Sequence, residues 1–169
     1  QWLKEQLQPL GYTQIDTIWS GPFATQIFQK LNQGASVYTY RGYLGCSGFS
    51  PGYIDNLTNG SELPFAVMVT CASGSFASDT HGHSEAMLRN PAGGAIGAVG
   101  TATIGTHTRY NNCYFHGAWE GALNEPDRAL GYAHTRGKVE LFLQYQANEP
   151  DIVHIWSVWN NLMGDPATE

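Results

Sequence analysis

Cys71 is the residue best placed to do chemistry in this chain. It directly follows the most apolar run, Phe65 to Thr70, and opens the polar loop Ala72-Ser73-Gly74-Ser75. A thiol at the carboxyl end of a buried strand can act as a nucleophile. Backbone N–H groups beside it can stabilise a thiolate or an oxyanion. The competing reading is a small buried cysteine at a strand end. A thiol nucleophile needs help, because an ordinary cysteine is only a few per cent thiolate near neutrality. A departing amine also needs a proton, and histidine titrates in the right range to supply it. The chain has six histidines. His81 and His83 form a His-Gly-His in the loop after Cys71, and His107 follows the next expected strand. All three are expected at the same end of the sheet as Cys71. His116, His134 and His154 fall in expected helices and read as structural.

Other residue types carry weaker signals. His81 and His83 lack further ligands at metal spacing, Asp79 adds little, and no second cluster exists, so no metal is expected from the residues themselves. No Asp/Asn-rich loop marks a calcium site. Arg41, Glu85 and Arg89 are expected to form ion pairs near the site. Gly42, Gly45 and Gly48 would let a substrate backbone approach closely, or serve as plain turn glycines. Tyr110, Tyr114 and Phe115 either line a peptide groove or pack a helix face. Trp19, Trp119, Trp156 and Trp159 occupy apolar periodic positions and are expected in the core. Cys46, Cys71 and Cys113 are odd in number, so at least one thiol stays free. Asn56-Leu57-Thr58 and Asn59-Gly60-Ser61 are glycosylation sequons, of a kind that arises often by chance.

These residues need a scaffold. Trp2 to Leu10 reads as a helix closed by Gly11, and Ile15 to Trp19 as a short strand. Gly21-Pro22 opens a helix whose Phe23, Ile27, Phe28 and Leu31 share one face, ended by Asn32-Gln33-Gly34. Ser36 to Tyr40 is expected as a strand, followed by a glycine-rich loop from Gly42 to Gly52 and a short helix from Tyr53 to Leu57. Phe65 to Thr70 and Ala95 to Thr103 read as strands buried on both faces of a parallel sheet. Ser84 to Arg89 is expected to be helical with Ser84 as its cap. Thr108 to Asn124 and Ala129 to Gln146 follow as helices, and Asp151 caps a last apolar segment, Ile152 to Leu162. Strands alternating with helices predict an α/β sheet with helices on both faces. In such sheets the site lies beyond the carboxyl ends of the strands. That rule selects the loops Arg41 to Gly52, Cys71 to His83 and Thr101 to Thr108.

Composition sets the outer limits. The chain has 169 residues with 42% hydrophobic and only 13% charged residues. That is enough apolar material for one domain with a real core, and it excludes wholesale disorder. A net charge of −6 without any Lys/Arg run argues against nucleic acid and anionic membrane as partners. No apolar stretch approaches the roughly 20 residues needed to span a bilayer. Gln1 at the start, few lysines and many Gly, Ser, Thr, Asn and Tyr residues suggest a processed, exported product or a piece of a longer chain.

Several stretches together resemble one family. Val69-Thr70-Cys71-Ala72-Ser73-Gly74-Ser75-Phe76 with Ser84-Glu85-Ala86-Met87-Leu88-Arg89 looks like the nucleophile strand and following helix of the gingipain-type (C25, clan CD) cysteine peptidases. Leu31-Asn32-Gln33-Gly34 before Tyr40-Arg41-Gly42, Gly94 to Thr103, and Leu162-Met163-Gly164-Asp165-Pro166 match in the same order. The resemblance runs from about Leu10 to Asp165. It implies a caspase-like three-layer α/β sandwich, with a mostly parallel sheet and helices on both faces. Residues 1–169 would be a single domain resembling the second, catalytic subdomain of a longer secreted protein.

The resemblance implies Cys71 as nucleophile, with the N–H groups of Cys71 and Gly42 or its neighbour as the oxyanion hole. The family's catalytic histidine lies in a Tyr-x-Gly-His-Gly pattern. Here Tyr43 occupies that position, and the step from Tyr43 to Cys71 is a few residues shorter than the family's. A phenol of pKa near 10 is a poor base at neutral pH. His81 or His83 would have to substitute. The resemblance requires no cofactor and implies calcium as the one ion to consider. Three functions follow: a cysteine peptidase, an inactive pseudopeptidase serving as an extracellular binding or structural module, or an assembly subunit. All three take protein or peptide partners, including other chains or domains of the same secreted or cell-surface protein.

Overall fold

A computed structural model describes residues 1–77, 81–124 and 128–169. Asp79 therefore lies outside the described residues. Four strands form one sheet in the order β1 (Val37–Tyr40), β2 (Phe65–Met68), β3 (Gly97–Thr101), β4 (Asn160–Gly164). The first three are parallel, with Val37 opposite Phe65 and Phe65 opposite Gly97. β4 runs antiparallel to β3, with Thr101 opposite Asn160. The helices are α1 (Trp2–Leu7), α2 (Phe23–Asn32), α3 (Pro51–Ile54), α4 (His83–Arg89), α5 (Thr108–Leu123), α6 (Leu130–Tyr145) and α7 (Pro150–Trp159).

Alternation along β2 divides the core in two. Phe65, Val67 and Val69 point into one apolar cluster with Tyr114, Trp119, Leu141 and Trp156. Ala66 and Met68 point into the other, with Ile27, Leu31, Phe49, Ile54 and Met87. Side chains of a strand face opposite sides in turn, so a continuous apolar run must be covered on both. α1, α5, α6 and α7 cover one face, and α2, α3 and α4 cover the other. This is the expected three-layer α/β arrangement.

Some expectations fail. Ile15 to Trp19 forms no strand, since among the described residues no neighbouring strand is there to pair with it. Ile15 packs against one core cluster, Ile18 against the other, and Trp19 is 74% exposed rather than core. Trp119 and Trp156 are buried, and Trp159 is half-buried. The short helix expected at Tyr53 to Leu57 starts earlier, at Pro51, where proline suits the first turn. Ser84 does not cap α4. Gly82 holds the cap position, and Ser84 is a buried member of the first turn. Asp151 sits in the first turn of α7 behind the cap residue Glu149. The segment Ile152 to Leu162 is two elements, because the chain leaves α7 at Asn160 and becomes β4. β2 is shorter than expected, since Thr70 N–H turns back to the Met68 carbonyl at 3.0 Å, and β3 spans only Gly97–Thr101. Among the described residues, no helix is long and apolar enough to cross a membrane.

Candidate functional site at the carboxyl end of the sheet

Cys71 emerges two residues beyond Val69, at the carboxyl end of β2, and is partly buried. The chain turns sharply there. Ala72 adopts φ 57°, a left-handed conformation that costs a non-glycine residue about 1 kcal/mol or more. The turn is held from β3: Ala72 N–H donates to the Thr103 carbonyl at 2.7 Å, and Gly74 N–H to the Thr101 carbonyl at 3.1 Å. Ser73 fastens it from below. Its buried hydroxyl faces the Met68 and Thr70 carbonyls and accepts from Thr101 N–H at 3.0 Å. Ser84 then donates to the Ser73 carbonyl through both its N–H (2.9 Å) and its hydroxyl (3.1 Å). Gly74 is required: a β-carbon there would lie 2.6 Å from the carbonyl carbon of Gly100.

The loop after β1 is laced to the same point. Thr70 Oγ1 donates to the Gly42 carbonyl at 2.8 Å. The Arg41 guanidinium donates through Nη1 to the Val69 carbonyl. Its Nε and Nη2 both reach Asn112 Oδ1 on α5, at 3.1 and 2.6 Å. Burial lowers the proton affinity of Arg41 below its ordinary value, and the Cys71 sulfur acts in the opposite sense. Beyond β3, Thr106 brings its hydroxyl to 2.9 Å from Cys71 Sγ. Sequence reasoning missed Thr106. Its only signal was its place in the third of the loops selected by the strand-end rule.

The histidines fall elsewhere. His81 Nε2 meets the Asp55 carboxylate at 2.9 and 3.1 Å, an interaction between partly exposed groups. His83 is buried in the first turn of α4. Burial lowers its proton affinity, and a hydrogen bond with the Phe49 backbone opposes that. Its Nε2 has no partner among the described residues. His107 caps α5, accepting from Arg109 N–H at 3.2 Å through Nδ1. Among the described residues no imidazole is hydrogen-bonded to Cys71, whose partner is Thr106.

Tyr43 is 90% exposed, and its carbonyl accepts from the Tyr40 hydroxyl at 3.4 Å. The loop beyond it turns through four left-handed residues, Gly45, Cys46, Ser47 and Gly48. Cys46 is fully buried there, and burial pushes its thiol up to about 12. Neither Gly42 N–H nor Cys71 N–H donates a hydrogen bond among the described residues. Arg41, Glu85 and Arg89 do not form a shared set: Glu85 pairs with Arg89 at 2.8 Å, and Arg41 is committed to Val69 and Asn112. Tyr110 and Tyr114 are buried core residues, which removes them from an open groove above Cys71, whereas Phe115, half-buried against the same core cluster, lines the groove beside β1 and α2. A groove of about 840 Å³ instead runs beside β1 and α2, and Arg41, Gly42 and Tyr43 are among the residues lining it. No three His, Cys, Asp or Glu side chains gather as a metal site among the described residues.

Comparison with known proteins places this arrangement in context. The family model described as peptidase family C25 matches residues 4–169. Gingipain R2 of Porphyromonas gingivalis is 26% identical over 176 residues, covering 95% of this chain and 23% of the relative. Gingipain R1 of the same species is 26% identical and is covered to 17%. The chain thus spans less than a quarter of the curated relatives it matches. A solved complex of the P. gingivalis RgpB pro- and mature domains superposes with a TM-score of 0.84 at 23% identity, covering 98% of this chain and 41% of that one. The Arg-specific cysteine proteinase gingipain R superposes at 0.82 and 22% identity, with 98% and 40% coverage. These likenesses establish the caspase-like α/β fold.

Proposed function

The chain belongs to peptidase family C25, and from that premise we propose that it is a cysteine-peptidase domain that keeps the nucleophile position, Cys71, and lacks the general base. It would engage protein segments at the Cys71 site without turning them over. The observation that carries this reading is the partner of the sulfur: Thr106 Oγ1 at 2.9 Å, with no imidazole bonded to it among the described residues. Tyr43, at the position that the family resemblance assigns to histidine, projects into solvent. His81 is occupied by Asp55, and His83 is buried against the Phe49 loop, so neither serves as base in this account.

The chemistry follows from what remains. Cys71 N–H and Gly42 N–H donate to no acceptor among the described residues and stand on neighbouring strand ends, suited to the carbonyl oxygen of a bound segment. Attack by the sulfur on an amide builds an oxyanion that they can hold. Collapse to products then needs a proton on the departing amine, and a threonine hydroxyl does not supply one near neutrality. The groove reaching Gly42 and Tyr43 offers an approach for an extended segment. The same reading makes residues 1–169 the counterpart of one catalytic subdomain of an exported or cell-surface protein, with calcium the ion to test.

The test is digestion of a mixed peptide library, read by mass spectrometry, by wild-type protein and by Cys71→Ala. The account expects identical, undigested libraries, with peptides retained by both proteins. Cleavage by the wild type that Cys71→Ala abolishes contradicts it and makes the domain an active peptidase.

A further inference from the structure

β1 ends the sheet, and its outer edge has no partner strand among the described residues. The register fixes which groups are free there. Val37 stands opposite Phe65, and Phe65 N–H donates to the Ser36 carbonyl at 3.0 Å. Alternate residues of a strand turn their N–H and C=O to opposite neighbours, so Tyr38 and Tyr40 face β2. Val37 and Thr39 direct theirs to the outer edge, where no acceptor or donor meets them among the described residues. Yet every residue of β1 is half-buried. The edge lies inside the groove of about 840 Å³ rather than on an open surface.

The groove suits an added strand. Trp2 and Phe115 line it and pack with one core cluster, while Ile27 and Leu31 line it from the other, so both its walls are apolar. Ile15 to Trp19 lines it too. That stretch anchors Ile15 in one cluster and Ile18 in the other, and none of its backbone groups is bonded to β1. Charge narrows the occupant. Lys4, Lys30 and Arg41 line the groove against one carboxylate, Asp16. Lys30 takes Asp16 at 3.3 Å, and Lys4 and Arg41 meet no carboxylate among the described residues. The groove is thus basic in a chain of net charge −6. A second copy joined edge to edge would set these cations against their own images, because such a contact is isologous.

We propose that the outer edge of β1 binds an extended segment of a partner protein, apolar at successive positions and carrying a carboxylate, as an added strand. This rests on the reading that the domain engages protein segments at the Cys71 site. Main-chain hydrogen bonds to Val37 and Thr39 hold the segment, and the two apolar walls take its alternate side chains. Gly42 and Tyr43 line the same groove, so the added strand leads towards the candidate site.

The test uses the full chain, isotope-labelled for amide hydrogen exchange, and the probe acetyl-Asp-Val-Ile-Val-Ile-Thr-amide. In the free protein the Val37 and Thr39 amides should exchange at least about tenfold faster than those of Tyr38 and Tyr40, and the bound probe should remove that difference. Two further probes carry N-methyl groups on both valines or on both isoleucines. One set of alternate amides faces β1, so one of these probes should bind about tenfold more weakly and the other close to the parent. Asparagine for aspartate in the probe, or Lys4→Gln in the protein, should weaken binding severalfold. Absence of binding overturns the proposal, as does binding that leaves Val37 and Thr39 unprotected, falls equally with both N-methylated probes, or is unmoved by both charge exchanges. Slow exchange of Val37 and Thr39 in the free protein overturns it as well. If independent of protein concentration, that result means that Ile15 to Trp19 already fills the edge; if it grows with concentration, a second copy does. Cleavage of the probe by wild type, lost in Cys71→Ala, contradicts the missing-base reading instead and leaves the exchange result standing, so the two failures are distinguishable.

Discussion

Gly74 and Gly100 stand back to back. A β-carbon on Gly74 would come within 2.6 Å of the Gly100 carbonyl carbon, and one on Gly100 within 2.6 Å of Gly74 N. The contact is backbone against backbone, so no side chain can yield. It presses the turn that carries Cys71 onto β3 and lets Gly74 N–H reach Thr101. Gly74→Ala should therefore cost about 3 kcal/mol, at the upper end of overpacking effects. Urea unfolding measures it, and a loss below about 0.5 kcal/mol would contradict the contact.

Ser73 holds the same turn through one buried hydroxyl. Removing it in Ser73→Ala leaves the Thr101 N–H without the hydroxyl it donates to, while the Met68 and Thr70 carbonyls keep the Thr70 and Ser73 N–H donors. An orphaned buried donor costs about 1–3 kcal/mol, so a loss of about 2 kcal/mol is expected. Ser73→Thr keeps the hydroxyl and should recover part of it if the extra methyl is accommodated.

Acid should destabilise the domain through His134. Its Nδ1 lies 2.5 Å from the Tyr114 hydroxyl, and burial first, then Lys138, lower its proton affinity to about 4. Burial holds the Tyr114 proton on, so that hydroxyl donates to a neutral ring. An unfolded histidine titrates near 6.5. The unfolded chain thus binds more protons than the folded one between these values. Stability should be intact above pH 6.5, fall as pH drops towards 4, and level off below. The difference corresponds to about 3 kcal/mol for this group. His83 shifts in the same direction through burial and adds to the slope. Thermal melts across pH 4–7 measure it, and His134→Gln should flatten the curve. An unchanged slope in that variant would place the acid sensitivity elsewhere.

Much of the scaffold is legible in the residues themselves. Phe65 to Thr70 declares a buried strand because both its faces are apolar, and Phe23, Ile27, Phe28 and Leu31 declare a helix by spacing. The strand-end rule brings Cys71, Gly42 and the loop Thr101 to Thr108 to one end of the sheet before any coordinates, without singling out Thr106. What escaped depends on partners distant in sequence. Ile15 to Trp19 has strand-forming residues and nothing to pair with, whereas Asn160 to Gly164 has a weak strand pattern and pairs with β3. Asn160 is legible only in the fold, where its side chain accepts from the Thr101 hydroxyl at 2.9 Å. Ser84 looks like a cap by residue type, yet its hydroxyl is spent on Ser73. Likewise, the ties of His81 to Asp55 and of Arg41 to Asn112 join residues 26 and 71 positions apart, which no local pattern reveals.

The most direct test of the central claim is to place an imidazole at Tyr43, the position that the family resemblance assigns to histidine. Tyr43→His, with wild type and Tyr43→His/Cys71→Ala as controls, would be assayed for cleavage of the same mixed peptide library at pH 7.5. The account predicts cleavage by Tyr43→His that wild type and Tyr43→His/Cys71→Ala both lack. Cleavage by wild type at a rate equal to that of Tyr43→His, and lost with Cys71, would contradict it and show that the domain already holds its base.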